Sequence, residues 1–227
     1  KVTVDNNGKD VVLNVSQIVW FDAKEEGLKQ SGTFDPNLSS IEEVILELKN
    51  NINSFSYKKF TTYDKTICQY NGRREVICGK CEEVCPTVAI TRDDTTKTLT
   101  FSQIDCHGCG GCISVCPSGA LDYAPTNRES LFEMSKFYKN RHPLIIPRTM
   151  GIEDLQIDLK EGVFPFAIEG EKFLHESSLL TLLQMSGSQV IFYSDFLSKG
   201  TNDAIRILND IYQKRYQKDE ILVAMNK

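Results

Sequence analysis

The cysteines limit this chain more than any other feature. There are eight in 227 residues, all between Cys68 and Cys116, a stretch of 49 residues. The last four, Cys106, Cys109, Cys112 and Cys116, follow C-x2-C-x2-C-x3-C-P and end at Pro117. A shift of 31 residues lays Cys78-Gly79-Lys80-Cys81, Cys85-Pro86 and Ala89-Ile90 on Cys109-Gly110-Gly111-Cys112, Cys116-Pro117 and Ala120-Leu121. The segment is therefore an internal duplication. The first copy departs at one point, because the same shift carries Cys106 onto Glu75, while Cys68 lies seven residues earlier and gives C-x9-C-x2-C-x3-C-P. The simplest reading makes Gln69 to Ile77 an enlarged loop across which Cys68 keeps its place. The alternatives are a set of three cysteines with an open position, or completion by Glu75.

Such a segment, short of large apolar side chains, is too small to be held by burial alone, so a group bound by the thiolates is expected to form its core. Four disulfides would suit a small exported domain, but Lys1-Val2-Thr3-Val4-Asp5 has neither the basic nor the apolar part of an export signal. Zinc ribbons pair two separated C-x2-C knuckles and have no continuous four-cysteine run. On Cys68 to Pro86 and Cys106 to Pro117 the chain resembles bacterial-type two-cluster ferredoxins. That resemblance implies two 4Fe-4S clusters on a βαββαβ scaffold with pseudo-twofold symmetry, each run sending its fourth cysteine to the other cluster. Carried over, it gives Cys68, Cys78, Cys81 and Cys116 to one cluster and Cys85, Cys106, Cys109 and Cys112 to the other. Without Cys68 the first would be a 3Fe-4S cluster or would take Glu75. The implied role is passing single electrons between a redox enzyme partner and an acceptor. Less specifically, a dicluster module ahead of an α/β domain is similar to iron–sulfur subunits of hydrogenase, formate dehydrogenase or heterodisulfide-reductase-type assemblies. Tyr70 and Tyr123 are read as shields against solvent, and His107 as a neighbour of a cluster sulfur or a loop residue facing water.

Three segments separate by pattern. In 1–60, Val2, Val4, Val11, Leu13 and Val15 alternate around Asn6-Asn7-Gly8, which predicts a hairpin. Ile18-Val19-Trp20-Phe21 is expected to continue that sheet, and Ser40 to cap a helix carrying Ile41, Val44, Ile45 and Leu48 on one face. Segment 61–125 holds the cysteines, with short strands flanking Asp93-Asp94. In 126–227, apolar runs at Leu144, Phe164 to Ile168, Val190 to Tyr193 and Ile221 to Ala224 alternate with helical patterns, which predicts βαβ units and a parallel sheet of doubly buried strands. The fold class expected is thus an α+β ferredoxin-like dicluster domain between a small N-terminal α/β or β segment and a C-terminal α/β domain. A final uncovered strand and the absence of an initiator Met suggest a piece of a longer protein.

With 26 basic against 31 acidic residues, the net charge of −5 offers no surface for nucleic acid, and no apolar run reaches the roughly 18 residues of a membrane span. A cytoplasmic location is expected. Ser198-Lys199-Gly200-Thr201-Asn202 opens a helix with Thr201 or Asn202 as cap, but neither G-x-G-x-x-G nor a P-loop is present. No catalytic constellation accompanies the cysteines. The rival readings are a flavin- or nicotinamide-linked oxidoreductase with the clusters as internal relay, and an iron–sulfur maturation or sensor protein. His142 and His175 are read as structural.

Overall fold

The computed structural model describes residues 2–28, 30–150, 159–170 and 172–225. Asn7 and Gly8 take positive φ, 56° and 81°, the turn that suits a tight hairpin, so β1 (Val2–Asn6) pairs antiparallel with β2 (Lys9–Leu13) as the alternation predicts. The expected continuation of that sheet does not form. Instead β3 (Ile18–Val19) lies parallel to β4 (Thr33–Phe34), with α1 (Glu25–Leu28) between them. Asp35 makes this possible: its buried carboxylate accepts the Ala23 and Asn37 N–H groups, at 2.8 and 2.9 Å, and pulls the loop back on itself. Helix α2 (Ile41–Asn50) begins with the expected box, Ser40 and Glu43 each satisfying the other's backbone N–H. Of its apolar face only Val44 is buried; Ile41 and Ile45 are exposed.

The middle of the chain runs β5 (Thr61–Tyr63), α3 (Lys80–Glu83), β6 (Ile90–Asp93), β7 (Thr98–Phe101), α4 (Gly111–Ser114) and β8 (Leu121–Tyr123). Strand β5 pairs antiparallel with β8, and β6 with β7. The duplication is visible down to single bonds. Asp64 N donates to Ala120 O and Ser102 N to Ala89 O, each at 2.8 Å; Cys85 N donates to Glu82 O and Cys116 N to Ile113 O, each at 3.1 Å. This is a ferredoxin-like arrangement within a mixed α/β chain.

Beyond it come α5 (Arg128–Ser135), β9 (His142–Pro147), β10 (Val163–Ile168), α6 (Glu176–Ser186), β11 (Val190–Ser194), α7 (Lys199–Tyr216) and β12 (Ile221–Met225). The four strands form a parallel sheet in the order β10-β9-β11-β12. Among the described residues β9 is buried along nearly its whole length, and the other central strand, β11, alternates buried with half-buried positions. The edge strands are covered only in part: Phe166 and Ile168 of β10 and Ile221 of β12 are buried, whereas Phe164, Leu222 and Val223 are exposed. Helix α6 ends at Gly187 in the left-handed region, as the pattern predicts. The α7 cap is corrected to Ser198, whose Oγ accepts the Thr201 N–H at 3.2 Å. Gly200 lies inside the helix, where an added Cβ would clash with Ser114, so the glycine lets α7 close on α4.

Residues from the two halves share one apolar core: Ile90, Ile113, Leu121 and Tyr123 lie with Leu131, Ile145, Phe166, Leu179 and Phe192. Among the described residues no helix is long and apolar enough to cross a membrane.

Candidate metal centre

Each βαβ repeat delivers cysteines to both ends of the module. The loops entering α3 and α4 carry Cys78 and Cys109, the first turns of those helices carry Cys81 and Cys112, and the turn after each helix places Cys85 and Cys116 in the opposite cavity. One cavity, with about 340 Å3 of empty space, is lined by Cys68, Cys78, Cys81 and Cys116 together with Tyr63, Tyr70, Leu99, Ala120 and Leu121. A second, with about 440 Å3, is lined by Cys85, Cys106, Cys109 and Cys112 with Thr61, Phe101, Ile90 and His107. All eight cysteines are free thiols, and four of them line each cavity.

The enlarged loop folds over the first cavity. Tyr70 is 1% exposed, its hydroxyl donates to Asp94 Oδ1 at 2.6 Å, and its N–H donates to Cys68 Sγ at 3.4 Å. Gly72 N to Lys97 O, at 3.0 Å, ties the same loop to the β6–β7 turn. Cys68 is 7% exposed and faces the cavity, whereas Glu75 is exposed and is not among the residues that line it. Tyr70 thus walls the cavity as expected. Tyr123 does not line either cavity; it stacks on Phe173 with ring centroids 4.5 Å apart and donates to Gly108 O at 3.0 Å, holding the second cavity's loop.

The second cavity's cysteine loop is held from outside the module. Lys172 N donates to Cys109 O at 3.0 Å, and Gly110, at φ 81°, lies so near Phe173 that a Cβ would meet its Cβ at 2.4 Å. Neither Lys172 nor Phe173 stands out in the sequence, because a contact across more than sixty positions leaves no periodic mark. Tyr63 is also overlooked by cysteine counting, although it stands five residues before Cys68 as Phe101 stands five before Cys106. Its hydroxyl oxygen is buried, with no oxygen or nitrogen acceptor among the described residues and with the Cys68 sulfur as the polar group acting on it.

Burial dominates the thiol chemistry. It pushes Cys81 up to about 12 from an ordinary 9.0, against a weaker pull from the Glu82 N–H. Cys112 is raised further by burial, with the sulfurs of Cys109 and Cys106 adding. Cys106 and Cys109 rise for the same reason, opposed by the Gly108 and Gly111 N–H groups respectively, and at Cys109 also by the Lys172 charge. Gathered thiols of this kind are costly to ionise unless a cationic core joins them. Among the described residues no three His, Cys, Asp or Glu side chains close on a single-ion site. Four sulfurs line each cavity, a thiolate-only donor set of the kind that iron–sulfur clusters use.

Residues 76–120 match the 4Fe-4S dicluster domain family. The match takes in seven of the eight cysteines and begins after Cys68. This segment is an iron–sulfur domain of ferredoxin type, and electron transfer by 4Fe-4S chemistry is the role such a dicluster domain supports. Comparison with curated proteins and with solved structures returned no match.

Proposed function

We propose that this chain is an electron-transfer protein, or a subunit of an oxidoreductase, that carries two 4Fe-4S clusters. Cys68, Cys78, Cys81 and Cys116 hold one, and Cys85, Cys106, Cys109 and Cys112 the other. When bound, such clusters supply reversible one-electron chemistry. The chain's own residues orient them, exclude water through Tyr70, Leu99 and Phe101, and point backbone N–H groups at their sulfurs. The domain boundaries follow as 1–60, 61–125 and 126–227, with the C-terminal parallel sheet as the platform on which a redox enzyme or a second electron carrier docks.

The observation behind this reading is the sorting of eight thiols into two foursomes, with the fourth members exchanged, around two separate, largely apolar cavities. Anaerobic purification followed by iron and sulfide analysis tests it. About eight of each per chain and reduction in two one-electron steps are expected. Stoichiometric zinc without iron would overturn it, as would clusters lost faster than they pass electrons to a partner.

A further inference from the structure

Tyr63 and Phe101 are the same position in the two repeats. Each lies five residues before the first cysteine of its set, Tyr63 opposite Leu121 in the β5–β8 ladder and Phe101 opposite Ile90 in the β6–β7 ladder. The rings pack on each other across the pseudo-twofold, with centroids 4.7 Å apart. Phe101 lines the second cavity and Tyr63 the first. They differ by one hydroxyl. That hydroxyl oxygen is buried, no protein oxygen or nitrogen accepts its proton, and the Cys68 sulfur is the polar group acting on it most strongly.

A buried phenol without an oxygen or nitrogen acceptor is costly to the folded chain. Sequence duplication shows that phenylalanine serves in the mirror position without that cost. A thiolate or inorganic sulfide is the acceptor the first cavity offers. We propose that the Tyr63 O–H donates to a sulfur of the cluster held by Cys68, Cys78, Cys81 and Cys116, and so holds its reduction potential above the value the same site would have with phenylalanine. The direction follows from charge: a donor to sulfur stabilises the more negative, reduced state. Tyr63 is a positioning and tuning residue, and its pseudo-twofold mate leaves the second cluster without that donor. The inference rests on the two-cluster reading above.

The test is a reductive spin-resonance titration of the anaerobically purified protein beside Tyr63→Phe. With iron content unchanged, one of the two reduction steps is expected to move to more negative potential while the other holds its place. Pulsed spin resonance in heavy water should show an exchangeable-deuteron coupling in the unmodified protein that is missing from the variant. The reciprocal variant, Phe101→Tyr, is expected to move the other step to less negative potential, and it carries the test if Tyr63→Phe does not load its iron. Two intact clusters whose steps and deuteron couplings are unchanged by either substitution would overturn this inference alone. Absence of iron from the unmodified protein would instead overturn the two-cluster reading.

Discussion

Val88 holds φ at 55°, in the left-handed region that a β-branched residue rarely adopts, and its side chain is 71% exposed. Its partner under the 31-residue shift is Gly119, at φ 68°, so the repeat itself says which residue this backbone prefers. Val88→Gly is expected to stabilise the protein by about 1 kcal/mol, read as a raised denaturant midpoint. Cys68 is a second case. Cys68→Ser is expected to remove between one and four iron atoms per chain and to alter one reduction step only. Unchanged iron and an unchanged spectrum would point to some other fourth ligand. A third case is His175, whose Nδ1 accepts the Ser177 N–H at 3.2 Å as the cap of α6. Burial is the main reason its pKa lies below the ordinary 6.5. The unfolded chain therefore takes up this proton at higher pH than the folded one. The contribution is present in full above 6.5 and is lost as pH falls through the folded value, where an imidazolium can no longer accept the N–H. His175→Asn, which keeps a cap, is expected to flatten the loss of α6 amide protection between about pH 7 and pH 5.

At the scale of elements, the strands and helices whose signals are local were legible in advance. Asn7-Gly8 specifies a hairpin because both residues accept positive φ, and Ser40 with Glu43 specifies a helix start because two backbone donors are satisfied within four residues. Strand β3 was misjudged because its partner is chosen by Asp35, whose carboxylate reaches Ala23 twelve positions away. The cysteine loops show the same division. Spacing indicates which thiols come together, but not what leans on them. Gly79 and Gly110 occupy matching positions, and only the structure separates them. Gly79 has an extended backbone, and a Cβ there would meet the movable guanidinium of Arg92. At Gly110 a Cβ would meet the backbone of Phe173 at a positive φ. Gly79→Ala should therefore cost less than about 1 kcal/mol, while Gly110→Ala should cost more than about 2 kcal/mol and release iron. Equal denaturant midpoints for the two variants would refute this.

Across the whole molecule, the apolar core does not respect the proposed boundary at residue 125. Ile113 and Leu121 pack with Ile145 and Phe192, and α7 closes on α4 at Gly200. On heating, loss of visible cluster absorption and loss of C-terminal helix ellipticity are expected to follow one curve. Two separated transitions would show instead that the halves fold independently. Composition and periodicity could delimit the segments, but not reveal that two of them share an interior, since that depends on which faces meet.

A duplicated module with twofold symmetry has no front or back: an electron entering either end would find the same surroundings. Here one end is walled by the chain's own loop through Tyr70, while at the other Lys172 and Phe173 from the α/β half lean on the cysteine loop. The enlarged loop and the leaning strap turn an interchangeable pair into an oriented one, as a plug differs from its socket. The two ends of the module therefore differ in what covers them, an asymmetry that the internal repeat does not itself carry.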